Sequence, residues 1–360
     1  YVNGSKEMLD PNATEKDGKY LWSEQSTGVG HFAKYADQRL ADSDTENLLV
    51  QLAMENSAKT GKPIDKRAID NVAQEIQQEV DSAKARRVYD SPSKGVLWGW
   101  EVPAYVWTKA IATGTFLMMA IWELLGGNLS QTTELTGLMT TLVFMGLTGA
   151  FLVKDLDRPD RFLYVLLRPQ WKSWLVRGAY IITGFGGLVT LKLFDNYFNL
   201  GWDWLWYLGA VFAVLGAVYT AFLFGQARSR DLWQSTGLSA VHMLIHAVMA
   251  GTVSLMFISP ELIPFMANTL LLAIVANIII IAKEVLLPHD TPDTKKAIYL
   301  MTKGYFSKYF WVGVFIGSIV PIVMINAYPS MALIAGGCAL IGIFLTEFVR
   351  IRVPQMIPLS

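Results

Sequence analysis

The sequence predicts an all-α integral membrane protein, with eight transmembrane helices arranged as two four-helix bundles behind a mostly helical N-terminal arm. Three observations carry that expectation. Apolar residues make up 52% of the 360 and charged residues only 17%, with uncharged runs of the length a helix needs to cross about 30 Å of hydrocarbon. Charge is unevenly divided: residues 1–100 hold 13 basic and 16 acidic side chains, and the remainder hold 17 and 14. The single cysteine, Cys338, excludes a disulfide framework, a zinc knuckle and a cysteine-ligated iron–sulfur cluster within the chain. With 30 basic and 30 acidic side chains in all, nothing points to nucleic acid as a partner.

Residues 1–95 read as an extramembrane arm. The first 30 are polar and rich in turn formers. Helices are expected over 31–40, 45–59 and 65–87. In the last of these, Ile69, Val72, Ile76 and Val80 repeat at three- and four-residue spacing and form one apolar face. So few large apolar groups make a poor independent core, so the face is expected to dock on a partner subunit. The chain opens with Tyr1, and no early apolar stretch reads as a signal peptide.

Residues 96–360 read as the membrane domain. Eight apolar spans are expected at about 102–126, 134–153, 174–194, 203–226, 237–258, 262–287, 309–328 and 330–349. Pro260 and Pro264 separate spans five and six, and Pro329 separates seven and eight. An even count puts both ends of the domain on one side, here side A. Fifteen lysines and arginines fall in the side-A loops and C-terminus, among them Lys154, Arg168, Lys172, Lys303, Arg350 and Arg352. Side B has Lys192 alone. That asymmetry places side A in the cytoplasm.

A short internal repeat links spans one and five. Tyr105-x3-Lys109-Ala110-x3-Gly114-Thr115 is followed, 137 positions later, by His242-x3-His246-Ala247-x3-Gly251-Thr252. Four helices separate the two copies, which implies a parallel duplication of a four-helix unit. Small-residue spacing also recurs in unrelated helix packing.

Ionisable residues inside a span are costly and are functional suspects. Tyr105, Lys109, Tyr219, His242, His246, Glu284 and Glu347 all fall in the side-A half of their spans, whereas Glu123 lies at the far end of span one. A site entered from the side-A leaflet fits this better than a pore. His242 and His246 share one helix face. Met243 stands where a zinc protease would carry its glutamate, which argues against zinc. No second span offers a histidine for a bis-histidine haem. The pair reads equally as two histidines bonded to neighbouring helices and as a proton relay or quinone ligand.

The loop after span two is the most informative stretch. It runs Lys154-Asp155-Leu156-Asp157-Arg158-Pro159-Asp160-Arg161-Phe162, then Arg168-Pro169-Gln170-Trp171-Lys172-Ser173-Trp174 and Arg177-Gly178-Ala179. An ordinary basic loop with turn-forming prolines would look similar. Yet carboxylates at a helix end among arginines and interfacial tryptophans are well placed to exchange a proton.

At these residues the chain resembles the NrfD/PsrC family, the membrane subunits of polysulfide reductase-like complexes and of alternative complex III. Asp155, Leu156, Arg158, Pro159, Arg161 and Phe162 match its D-L-x-R-P-x-R-F pattern, and Pro169, Ser173, Trp174, Gly178 and Ala179 continue it. Tyr219-Thr220-Ala221 resembles the family's Y-T-G, Leu232-Trp233 its L-W, and Phe310-Trp311 with Gly313, Gly317 and Pro321 its penultimate helix. The resemblance implies a quinone-reactive subunit (menaquinone or ubiquinone) in a prokaryotic inner membrane, with no haem or iron–sulfur cluster of its own. It implies electron exchange with a docked ferredoxin-like iron–sulfur subunit, and beyond that a molybdopterin or multihaem catalytic subunit. It implies Asp155 as the proton-exchanging group and Tyr219 at the quinone; Tyr105, His242, Arg158 and Trp174 are further candidate quinone contacts. Lys109, His246, Asp157 and Glu284 are then candidate proton relays. Tyr105 stands where some members carry histidine. A polytopic transporter and a purely structural anchor are the competing readings. The arm and loop 154–173 are expected on the cytoplasmic face.

Overall fold

A computed structural model describes residues 98–156, 159, 162–227, 230–286 and 291–357. The three arm helices expected over 31–87, and with them the Ile76 face, lie outside the described residues. So do Asp157 and Arg158.

Among the described residues, eight helices are long and apolar enough to cross a membrane. Span one is Glu101–Leu124, span two Gln131–Lys154, span three Trp174–Phe198 and span four Trp204–Gly225. Span five is Thr236–Ile258. A single 3-10 turn, Pro260–Leu262, leads into span six, Ile263–Leu286. Span seven runs through Ser307–Val314, Phe315–Ile319 and Val320–Ala327, and span eight is Ala332–Met356. Two short helices, Phe162–Leu167 and Pro292–Thr302, lie in side-A loops. Among the described residues there is no strand.

The ends of the spans have local causes. Ser130 caps span two by accepting a hydrogen bond from the Thr133 amide at 3.1 Å. Span three continues a turn past the expected 194 and stops where Asn199 takes the left-handed conformation, φ 54°. The helix Pro292–Thr302 was not expected from the sequence. Its signals are a Thr291 cap on the Thr294 amide and a proline in its first turn. Within span seven, Phe315–Ile319 forms a π turn just before Pro321. Proline has no N–H for the helical ladder, and the wider turn accommodates the missing bond.

Spans one to four pack as a ring: one against two, two against three, three against four, and four against one. Spans five to eight close a second ring. Five packs on six, six on seven, and seven crosses eight where Gly317 meets Gly342. Gly336 of eight rests on Val253 and Met256 of five. The two rings join along spans one and five. There the repeat-related glycines meet: a Cβ on Gly114 would lie 1.9 Å from the Ala247 carbonyl oxygen, and one on Gly251 would lie 2.1 Å from that of Gly114. Helices this close require glycine at the crossing. Span one is consequently buried along nearly its whole length, from Val102 to Ala120.

One expectation is corrected here. The sequence ended span eight at 349 and counted Arg350 and Arg352 as exposed side-A charges. The helix runs on to Met356, and both arginines are buried within it, 8% and 7% exposed.

Candidate functional site

The polar side chains of the side-A half converge on the seam between the bundles. Span one contributes Tyr105 and Lys109, one turn apart and 2% and 1% exposed. Lys109 reaches into the first bundle, where its Nζ donates to the Ala217 carbonyl at 3.0 Å and to the Thr220 hydroxyl. The same ammonium lies 4.5 Å from the centre of the Tyr219 ring. Tyr219 is buried; its hydroxyl makes no well-aligned hydrogen bond among the described residues, and the neighbouring Thr220 hydroxyl is within its reach. Its ring packs flat against Gly178 of span three, where an added Cβ would be 2.2 Å from a ring carbon. The small residue of the Gly178-Ala179 pair is thus what makes room for the tyrosine.

At the membrane surface above this group, Asp155 forms the C-cap of span two and is half-buried. Its charge is close enough to act on Tyr105. Trp174 opens span three, stacks on Phe222 of span four at 4.5 Å between ring centres, and has the Arg177 guanidinium 4.9 Å from its ring centre. Gln226 ties the two spans together, accepting from the Trp174 amide and donating to the Lys172 carbonyl at 2.8 and 2.9 Å. Lys154 closes the same rim on Glu101 at 3.4 Å.

The second bundle carries a denser network. Arg350 of span eight donates to Glu284 of span six at 3.0 Å, lies 3.5 Å from Glu347, and donates to Nδ1 of His242. Nε2 of His242 and Nε2 of His246 lie 2.8 and 3.1 Å from the same oxygen of Asn277. Nδ1 of His246 lies 2.9 Å from Glu347 Oε1. All six groups are buried. Both ring nitrogens of His242 are therefore engaged inside the protein. Between the two groups lies a cavity of about 10 Å3, lined by Val106, Lys109, Ala110, Ala217, Met243, His246 and Ile343. Two pairs in that lining, Lys109 with His246 and Val106 with Met243, are related by the 137-residue repeat.

Sequence reasoning passed over Asn277, which looks like an incidental polar residue in an apolar helix, named Thr220 only within the Tyr219-Thr220-Ala221 string, and took Arg350 for a loop charge. It also credited side B with Lys192 alone. A compact ion cluster is buried there: Lys192 bonds Asp195 at 2.6 Å, lies 3.3 Å from a Glu134 carboxylate oxygen, and sits 4.7 Å from the centre of the Trp206 ring. Nearby, Glu123 accepts from the Leu129 amide at 2.8 Å. The spacing of Lys192 and Asp195, three apart near a helix end, was the available signal.

The Leu232-Trp233 pair has a packing role. The Trp233 ring joins Trp98 and Phe224 in an aromatic cluster with centres 4.9–5.3 Å apart, and its indole donates to the Arg350 carbonyl at 3.2 Å. Among the described residues no group of three or more His, Cys, Asp or Glu side chains could hold a metal ion. A family model described as polysulphide reductase, NrfD, matches residues 90–358. No curated protein matches the chain.

Proposed function

The chain belongs to the NrfD family, and from that premise we propose that it exchanges electrons and protons between a membrane quinone and a docked iron–sulfur subunit. The observation that carries this reading is the buried group Tyr105, Lys109, Tyr219 and Thr220 lying beneath the Asp155 rim, in the side-A half of the first bundle.

The residues present suit a quinone. The Tyr219 hydroxyl is buried without a well-aligned hydrogen bond, and Thr220 beside it is already bonded to Lys109. A quinone oxygen would give it an aligned acceptor. The stacked Trp174 and Phe222 rings provide a flat apolar wall of the kind a planar head group packs on. When bound, a quinone supplies two-electron, two-proton chemistry. Tyr219 orients one oxygen by donating a hydrogen bond, and Tyr105 borders the same space. Asp155 takes or returns a proton at the rim. Lys109, held by Ala217 and Thr220, fixes the positive end of the site, while Glu284 and His246 belong to the relay on the second-bundle side. Asp157, Arg158 and His242 complete the proposed set, His242 acting through Arg350 and Asn277 because both of its nitrogens are bonded.

The partner is proposed as a ferredoxin-like subunit on the side-A surface, within a prokaryotic inner-membrane complex that carries a molybdopterin or multihaem catalytic subunit. The test is Asp155→Asn in the purified complex. Assembly should persist, and quinol turnover should fall by about 10²-fold, the lower end for a lost acid–base group. Wild-type turnover would overturn the assignment of Asp155.

A further inference from the structure

We propose that the connection between spans two and three binds the head group of an anionic phospholipid in the side-A leaflet. The site is built from the short helix Phe162–Leu167, the segment after it, and the first two turns of span three. It does not rest on the quinone reading.

The short helix has no core of its own. None of its six residues is buried. Leu163 and Leu167, four apart, share one face and are 62% and 72% exposed, and Tyr164 beside them is exposed too. What holds the helix is the flank of span three. The Tyr180 hydroxyl donates to the Leu166 carbonyl at 2.7 Å, and Trp171 packs on the Tyr180 ring with centres 4.7 Å apart. On span three, Val176 and Ala179 are buried against the bundle, whereas Arg177 and Tyr180 are exposed on its outer side. The short helix is therefore pinned to the outside of a membrane span near its end, where the neighbour is lipid. Exposed leucines beside tyrosine and tryptophan at that level suit the membrane interface, which takes up the apolar face.

Charge selects the kind of lipid. From Phe162 to Tyr180 there are three cations, Arg168, Lys172 and Arg177, and no carboxylate. All three are exposed, and none is ion-paired among the described residues. Arg177 is held through its Nε, which donates to the Trp171 carbonyl at 2.6 Å. Its two terminal nitrogens have no acceptor among the described residues. A guanidinium fixed in this way offers paired donors to a phosphodiester. Arg168 lies with its guanidinium carbon 5.4 Å from the centre of the Tyr164 ring, which keeps a second cation beside the apolar face. A zwitterionic lipid would bring a cation of its own into this cluster. A lipid of net negative charge complements it, with its acyl chains along Leu163 and Leu167.

The test titrates the full chain, in neutral detergent, with phosphatidylglycerol and with phosphatidylcholine of the same acyl chains. Bound lipid is counted by native mass spectrometry. Phosphatidylglycerol should bind at least tenfold more tightly. Arg168→Gln combined with Lys172→Gln leaves the Arg177–Trp171 bond in place and should weaken that binding at least threefold. Adding Arg177→Gln should remove the preference altogether. Lys303→Gln combined with Lys308→Gln, which neutralises two exposed side-A lysines elsewhere, should leave it intact. Equal affinity for the two lipids, wild-type preference in the double or triple variant, or an equal loss in the Lys303 and Lys308 variant overturns the proposal. The occupant of the apolar face is read separately, with a fluorophore on Leu167→Cys in a Cys338→Ser background. In the complete complex in nanodiscs, lipids spin-labelled near the head group should quench it. A label that is quenched in the isolated chain but shielded in the complex would show that a protein partner covers the face, and a label quenched in neither would place the face in water; either result overturns the lipid assignment.

Discussion

Gly114 and Gly251 each occupy the space that a side chain on the other would need. A Cβ on Gly114 would lie 2.8 Å from the Gly251 nitrogen as well as 1.9 Å from the Ala247 oxygen. Both distances are to backbone, so no side-chain rotation relieves them. Because the two positions are equivalent in the repeat, the crossing marks an approximate twofold relation between the bundles. It also sets where Lys109 and His246, one turn toward side A, come to border one cavity. The repeat was legible as a short string match. Its meaning lies in the packing.

Gly114→Ala should therefore destabilise the membrane domain by about 1–3 kcal/mol, the usual cost of overpacking. Gly149→Ala is the control, since a Cβ there meets nothing within 4 Å and alanine is the better helix former. Thermal unfolding in detergent separates them. Equal midpoints for the two variants would show that the crossing is not as tight as described.

The Gly178–Tyr219 contact makes a prediction about binding rather than folding. Gly178→Ala would push the Tyr219 ring from its place and should weaken quinone or inhibitor binding about tenfold, on the order of 1.4 kcal/mol. Tyr219→Phe gives up at most a poorly aligned contact with the Thr220 hydroxyl and should change stability by less than about 1 kcal/mol, yet it should weaken binding by a similar factor. Titration by fluorescence quenching reads both. If Tyr219→Phe binds quinone as tightly as the wild type, Tyr219 does not contact the head group.

How much of this was visible beforehand depended on whether the cause was local. Eight apolar runs and their proline punctuation gave the spans to within a few residues, the end of span eight excepted, because hydrocarbon thickness constrains each one separately. Asp155, Trp174 and Gly178 stood out because they sit in one short, unusual loop. Arg350 did not. A guanidinium at the end of an apolar run looks like a loop charge unless its partners are known, and those partners, Glu284 and His242, come from spans 66 and 108 positions away. Asn277 was hidden for the same reason. Its role as shared acceptor exists only once two histidines of another helix face it.

Lys192 should prove structural. Its ammonium is nearly fully buried between Asp195 and Glu134, and Lys192→Met would leave two carboxylates without their cation. Breaking one side of such a pair costs about 3–5 kcal/mol, so the unfolding midpoint should drop sharply in the detergent assay. Quinol turnover of the protein that remains folded should be unchanged, since the cluster lies at the far end of the first bundle. A turnover defect in stable Lys192→Met protein would instead place this cluster on a proton path.

The same burial changes the argument about sidedness, and the two corrections do not weigh equally. Arg350 and Arg352 leave the side-A count because they lie inside span eight, but Lys154, Arg168, Lys172, Lys303 and Lys308 remain in loops or at helix ends there. Lys192 was the one charge credited to side B, and it is neutralised within the fold. The bias that orients the chain is therefore sharper than the raw tally, and it favours side A, with the 154–173 loop, in the cytoplasm. Single cysteines in a Cys338→Ser background test this, at Gln170 on side A and Glu261 on side B, both exposed. On right-side-out vesicles a membrane-impermeant maleimide should label Glu261→Cys and spare Gln170→Cys. The opposite pattern would put the Asp155 rim and its partner on the outer face, and would mean that some segment other than these loops directs insertion.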